Sequence, residues 1–210
     1  MQRVTLFFIL IGIQVCTLTT FAQVSQQEWV SIYDGTGNNY DEAHSIAVDG
    51  LGNVYVTGAS KTGTGAGTED FTTIKYNALG VEQWVSRYNG PGNGYDEAFD
   101  IAVDDSGNVY VTGFSLGTGT GYDYATVKYN SAGVQQWASR YNGTGNNEDK
   151  AASLVIDDTG NVYVTGYSRN GSTTATQDYA TVKYNIYGVE QWTVRYDGPG
   201  NDLDQASSIA

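Results

Sequence analysis

The sequence predicts an all-β fold assembled from four-stranded antiparallel units in tandem, and three observations carry that expectation. The phrase Gly-Val-x-Gln-Trp ends at Trp84, Trp137 and Trp192, and a partial copy, Gln27-Glu28-Trp29, precedes them, so tryptophans recur at intervals of 55, 53 and 55 residues. A fixed period in that range marks one supersecondary unit copied along the chain, each copy burying its apolar face against the next. Within a period, segments such as Asp100-Ile101-Ala102-Val103-Asp104 and Asn108-Val109-Tyr110-Val111-Thr112 alternate bulky with small or polar residues, which is the two-residue period of a strand. The 27 glycines and 17 tyrosines against two prolines and one methionine suit short strands joined by tight turns rather than helices or disorder.

Taken in order, the chain opens with Met1-Gln2-Arg3, an apolar run over 4–13 and a small residue at Ala22. A positive start, an apolar core and a small residue before the cut predict a secretory signal over 1–22, with an apolar run too short to span a bilayer. Cys16 is the only cysteine. Lipidation at Cys16 is the rival reading, and Val15 argues against it, because a small residue is expected before a lipidated cysteine. Cleavage after Ala22 leaves a mature chain with no disulfide, so stability rests on packed sheet.

A lone strand, of the type labelled D below, is expected over 28–33, followed by complete units over about 43–88, 96–141 and 149–196 and the start of another over 204–210. In the middle copy strand A (100–104) and strand B (108–112) are joined by Asp105-Ser106-Gly107, where Gly107 suits a positive φ, as Gly160 does in the next copy. Strand C covers 123–129 and strand D 134–141. Four antiparallel strands in about 54 residues is the signature of a β-propeller blade. Trp29, Trp84, Trp137 and Trp192 fall on strand D and are expected to fill gaps between blades. About three and a third blades fall short of the four to eight that close a ring, so an incomplete ring is expected, its sequence ending early and its open blade faces prone to self-association.

Several phrases recur nearly unchanged: Gly-Asn-Val-Tyr-Val-Thr-Gly at 107–113 and 160–166, Ala-Thr-Val-Lys-Tyr-Asn at 125–130 and 180–185, and Gln-Trp-x-x-Arg-Tyr at 136–141 and 191–196. They resemble the SBBP repeat, the seven-bladed β-propeller repeat of secreted bacterial proteins. The resemblance covers essentially the whole mature chain and implies an extracellular or cell-surface propeller, often one module of a longer protein. It brings no catalytic residues to carry over. The chain departs from the family's seven copies in length.

Charge narrows the partners. The formal net charge is −13, and loss of Arg3 with the signal leaves nine basic against 23 acidic residues, or −14. Nucleic acid and anionic membrane both need a basic patch, so neither is expected as a partner. In an antiparallel meander the A–B and C–D turns share one end of the blades and the longer B–C and D–A loops share the other. That loop end is rich in oxygen ligands: Asp41, Asp96, Glu97 and Asp149 close the D–A loops, and Asp123 and Asp178 close B–C loops. Two readings stand side by side, a Ca²⁺ site built from these carboxylates and ordinary turn chemistry in which Asn and Asp bond nearby backbone. No other cofactor is called for.

Arg87, Arg140 and Arg195 hold one repeat position on strand D and are expected to pair with carboxylates, as are Lys75, Lys128 and Lys183 on strand C. His44, the only histidine, aligns with Phe99 and Ala152 and reads as a partly buried substitution rather than a general base. Tyr95, Tyr122 and Tyr167 near the loop end are expected to pack between blades or to stack on a ligand. The mature chain holds no G-x-S-x-G, H-E-x-x-H, Cys/His pair or phosphate loop. Adjacent carboxylates such as Asp96 and Glu97 point apart on a strand, a poor geometry for two-carboxylate hydrolysis. The expectation is a secreted or cell-surface scaffold without catalysis, taking a protein or glycan at the loop end. The alternative is part of an extracellular polysaccharide hydrolase or lyase whose catalytic portion lies beyond residue 210.

Overall fold

The structure, a computed structural model, describes residues 27–36, 40–63, 65, 67–171, 177–200 and 203–210. The signal expected over 1–22 lies outside the described residues. Blade one comprises β1 (Asp41–Val48), β2 (Val54–Lys61), β3 (Glu69–Tyr76) and β4 (Glu82–Tyr88). Blade two comprises β5 (Asp96–Val103), β6 (Val109–Leu116), β7 (Tyr122–Tyr129) and β8 (Gln135–Tyr141). Blade three comprises β9 (Asp149–Ile156), β10 (Val162–Arg169), β11 (Gln177–Tyr184) and β12 (Glu190–Tyr196). Each is a separate antiparallel sheet in sequential order, A to D.

Alternation on strand B builds two cores. Val109 and Val111 turn one way, where they join Ala98, Ile101, Ala125, Val127 and Tyr129 of blade two against Tyr55 and Phe71 of blade one. Tyr110 turns the other way, where Tyr110, Tyr124 and Tyr141 of blade two meet Ala151, Leu154, Val162, Val164, Ala180, Val182 and Tyr184 of blade three. Each junction thus sets an aromatic face of one blade on a mainly aliphatic face of the next, so the faces interdigitate.

Trp84 and Trp137 on strand D sit where expected, at the blade junctions, half-buried rather than enclosed. A Cβ added at Gly133 would stand 2.7 Å from Trp84 Cδ2, and one at Gly188 would stand 2.6 Å from Trp137 Cδ2, so each indole covers the C–D turn glycine of the following blade. Those glycines have φ of 79° and 76°, the left-handed region that favours glycine. The indole N–H donates onward, from Trp84 to the Ser131 carbonyl and from Trp137 to the Ile186 carbonyl, both at 3.1 Å. Trp192 faces no further blade among the described residues and is 41% exposed, beside exposed Val194 and Tyr196.

Segments 28–33 and 204–210 differ from expectation in carrying no strand ladder. A strand exists by pairing, and neither segment pairs with a strand of the three sheets. Their side chains still keep blade positions. Trp29 covers Gly80 as Trp84 covers Gly133, and Asp204 accepts the Gly198 N–H at 2.7 Å as Asp96 accepts that of Gly90.

Candidate binding face

At the loop end the first residue of each strand A folds the D–A loop onto itself. Asp96 is fully buried, its Oδ2 accepting the Gly90 N–H at 2.7 Å and its Oδ1 the Leu116 N–H at 2.9 Å. Asp149 is equally buried and accepts the N–H groups of Gly143 at 2.6 Å and Arg169 at 3.1 Å. Asp41 accepts the Gly35 N–H at 3.0 Å. One carboxylate therefore ties a D–A loop to the end of strand B. Burial pushes the carboxyls of Asp96 and Asp149 up, against the lowering pull of Ser115 or Ser168 and the backbone donors.

The B–C loops are held by arginine. Arg140 pairs with Asp123 at 2.7 Å and also donates to the Ser115 hydroxyl and carbonyl at 2.7 and 2.8 Å. Arg195 pairs with Asp178 at 2.9 Å, and donates to the Ser168 carbonyl at 2.9 Å and to the Ser168 hydroxyl. These two meet the expectation of ion pairs. Arg87 instead donates to the Tyr33 hydroxyl at 2.8 Å and to the Ser60 hydroxyl at 2.7 Å. Burial and the charge of Asp96 push Asp70, the counterpart of Asp123, up to about 6, with Arg87 pulling the other way.

Asp41, Asp96, Asp123, Asp149 and Asp178 are thus each engaged within their own blade. They do not gather: among the described residues the one group of three or more metal-ligating side chains with ligand atoms within 4.8 Å is Glu42, His44 and Glu97. Of the six carboxylates expected as calcium ligands, only Glu97 belongs to it.

The inner strands carry a feature that sequence reasoning missed. Strand A bulges in every blade, between Ala43 and Ser45, between Ala98 and Asp100, and opposite the step from Thr165 to Gly166. The cause is a strand-B glycine: a Cβ at Gly58, Gly113 or Gly166 would lie 1.9, 2.0 or 2.1 Å from the carbonyl oxygen of Glu42, Glu97 or Lys150. An interior strand glycine marks such an approach, so the last residue of each Val-Tyr-Val-Thr-Gly was the available signal. The extra residues are His44, Phe99 and Ala152, and they line a cavity of about 460 Å³ with Lys150, Tyr167 and Gln205. Asp100 ties the three inner strands, accepting from Ser45 at 3.2 Å, from Ser153 at 2.9 Å and from the Leu154 N–H at 2.8 Å.

An aromatic run backs this cavity. The His44 and Phe99 rings lie 5.2 Å apart, Phe99 and Phe114 5.6 Å, and Phe114 and Tyr122 5.0 Å. The Lys150 ammonium stands 4.2 Å from the Phe114 centroid and pairs with Glu148 at 2.6 Å. Tyr95 and Tyr122 are half-buried in the run, and Tyr167 is buried with its hydroxyl on Glu148 at 2.8 Å. All three pack. Lys75, Lys128 and Lys183 correct an expectation: each lies over a tyrosine ring, at 5.1 Å from Tyr55, 4.8 Å from Tyr110 and 4.9 Å from Tyr163. Each Lys–Tyr pair is directly cross-strand between B and C, and a ring face opposite attracts the ammonium.

A family model described as a β-propeller repeat matches residues 28–62, 83–119 and 136–172. Each match runs from strand D of one blade, or the segment in its place, through the D–A loop and strands A and B of the next. No curated protein matches the chain. Among solved structures it is similar to a protein of unknown function from Bacteroides caccae, at 13% identity over 75% of this chain and 47% of that one, with a TM-score of 0.43. A eukaryotic initiation factor aligns at 9% identity over 78% and 33%, TM-score 0.45. A fucose lectin from Kordia zhangzhouensis, in complex with methyl-fucoside, aligns at 14% over 74% and 99%, TM-score 0.42. The chain spans about half the length of the first and a third of the second.

Proposed function

The chain belongs to the β-propeller repeat family, and from that premise we propose that it is a secreted or cell-surface scaffold, not itself catalytic, that holds a protein or glycan ligand at the loop end of its blades. One observation carries the reading. The polar groups repeated at this end hold the loops still, while the side chains that differ from blade to blade, His44, Phe99, Ala152 and Lys150, converge on the cavity. A frame that repeats beneath contacts that vary is the economy of a binding module, and repeat architectures bind through such surfaces. The partnered state of Asp96, Asp123, Asp149 and Asp178 supports the absence of catalysis, since a general acid or base must be within reach of a substrate proton. The exposed Trp192, Val194 and Tyr196 face supports self-association as a second kind of contact.

The test passes the full chain over an array of oligosaccharides and extracellular-matrix proteins and titrates what is retained by calorimetry. Phe99→Ala and Lys150→Ala are expected to weaken binding, and Asp158→Ala at the hairpin end to leave it unchanged. Binding indifferent to the cavity substitutions overturns the proposal, and turnover of a retained glycan establishes the hydrolase or lyase reading instead. Export is checked separately by N-terminal sequencing of secreted material, expected to begin at Gln23. A start at Met1 or a lipidated Cys16 overturns that part.

A further inference from the structure

Repetition separates side chains that build blades from side chains that do something once. Glu42 and Glu97 occupy the same repeat position in blades one and two, and Lys150 replaces them in blade three. His44 occupies the bulge position, where blades two and three carry Phe99 and Ala152 and complete the same fold without it. Only the junction of blades one and two therefore assembles an imidazole with two carboxylates.

The geometry there suits a chelate. His44 Nε2 lies 2.7 Å from Glu97 Oε1 and 4.0 Å from Glu42 Oε2, and all three ligand atoms fall within 4.8 Å of one another. A four-coordinate ion with Zn–N and Zn–O bonds of about 2.0–2.2 Å holds its ligands roughly 3.3–3.5 Å apart. The observed separations straddle that value, so small side-chain rotations close the site. Its supports are already in place. The bulge carries His44, the Phe99 ring flanks it at 5.2 Å, and the Tyr95 hydroxyl donates to Glu97 Oε2 at 2.8 Å, which orients Oε1 toward His44 Nε2, the two atoms an ion would bridge in place of their hydrogen bond. Such outer partners orient metal ligands. The side chains of His44 and Glu97 are 21% and 12% exposed, whereas Glu42 is 41% exposed and leaves the site open on one side.

Charge favours a cation as well. Nearby Lys61 pairs with Glu69 at 3.6 Å and Lys150 with Glu148 at 2.6 Å, which leaves Glu42 and Glu97 grouped around His44. An imidazole among carboxylates suits a borderline transition ion, whereas Ca²⁺ takes oxygen ligands alone.

We propose that Glu42, His44 and Glu97 form a transition-metal site, taking an ion of the Zn²⁺ class, that clips the inner strands of blades one and two together and keeps an open coordination position beside the cavity. The site goes beyond the binding function proposed above and stands without it.

The test strips the full chain of metal with a chelator, then titrates it with Zn²⁺ by calorimetry and with Co²⁺ by visible spectroscopy. The expected result is saturation at one ion per chain, with the intense Co²⁺ absorption of a four-coordinate site and no comparable heat from Ca²⁺. His44→Phe, which installs the residue of blade two, abolishes both signals and keeps the circular dichroism of the metal-free chain. Glu97→Gln weakens binding strongly, and Tyr95→Phe weakens it about tenfold. As the only histidine, His44 also reports in the unsubstituted protein, where its imidazole NMR signals shift with Zn²⁺ and saturate at one equivalent. Absence of binding, binding that survives His44→Phe, or imidazole signals that ignore Zn²⁺ overturns the proposal.

Discussion

The two ends of the blades solve the same problem, fixing turns, in opposite ways. At the hairpin end every blade repeats one solution. Asp49, Asp104 and Asp157 each accept two backbone N–H groups on Oδ1, and an asparagine amide and a tyrosine hydroxyl on Oδ2. Those bonds hold the Asp157 carboxyl well below the usual carboxylate range, Thr159 and Asn161 foremost, and they lower Asp49 in spite of its desolvation. At the loop end carboxylates are buried, and burial raises Asp70, Asp96 and Asp149. Identical, solvent-facing turns make a frame. Varied loops tied down by buried carboxylates make the other end, and the side chains that break the repeat follow on the strands that leave it.

The largest effect that sharpens this contrast is expected from glycines. At the hairpin end Gly133→Ala meets both a φ of 79° and a tryptophan whose Cδ2 would stand 2.7 Å from the new methyl. Left-handed strain and overpacking together predict a loss of about 3 kcal/mol. At the loop end Gly119 has a φ of 81° with nothing within 4 Å of an added Cβ, so Gly119→Ala bears the strain alone, about 1 kcal/mol. Urea denaturation of both variants checks the pair, and equal losses would mean that the tryptophan lid contributes nothing.

Next in size is a reversal of sign with pH. Asp70 titrates at about 6 in the fold against 3.8 in the unfolded chain, so its favourable contribution is complete below 3.8 and is lost as pH rises through 6. Asp70→Asn therefore stabilises by about 1–2 kcal/mol at pH 7 and by little at pH 4. Asp157 shifts the other way. Its contribution is present above 3.8 and disappears as the medium is acidified below that value, so Asp157→Asn destabilises at pH 7 and ceases to matter in strong acid. Melting temperatures of the two variants between pH 3 and 8 should diverge in opposite directions, and parallel curves would erase the distinction between the ends.

The frame was legible in the sequence because its causes are local. The strand positions, the hairpin glycines Gly107 and Gly160 and the strand-D tryptophans follow from alternation, turn residues and period, and the blade bounds agree to within a residue or two. What escaped depends on neighbours one period away. His44 meets Glu97 across 53 residues, Trp84 reaches Ser131 across 47, and no local pattern marks either contact. Sequence pairs the lysines with carboxylates because charge is visible there and a ring face is not. With the register known, Tyr110 opposite Lys128 is immediate. Arg87 shares its tyrosine contact with Arg195, Tyr33 standing where Tyr141 does, and departs in making no ion pair like those of Arg140 and Arg195, a difference between copies that repetition itself conceals.

The smallest expected effect concerns calcium at the loop end. Ca²⁺ takes six to eight oxygens on flexible loops, whereas the Asp96 carboxylate faces two backbone N–H groups and that of Asp123 faces Arg140 and Thr120. Recruiting them would orphan buried donors, so only weak screening of the −13 charge is expected, and screening does not distinguish Ca²⁺ from Mg²⁺. With a Kd above about 10 mM, 1 mM Ca²⁺ raises stability by less than about 0.1 kcal/mol. Melting temperatures in matched Ca²⁺ and Mg²⁺ should therefore coincide. A rise specific to Ca²⁺ that Asp96→Asn removes and Asp104→Asn spares would show that the loop carboxylates exchange their backbone donors for an ion, and would make the loop end a regulated surface rather than a fixed one.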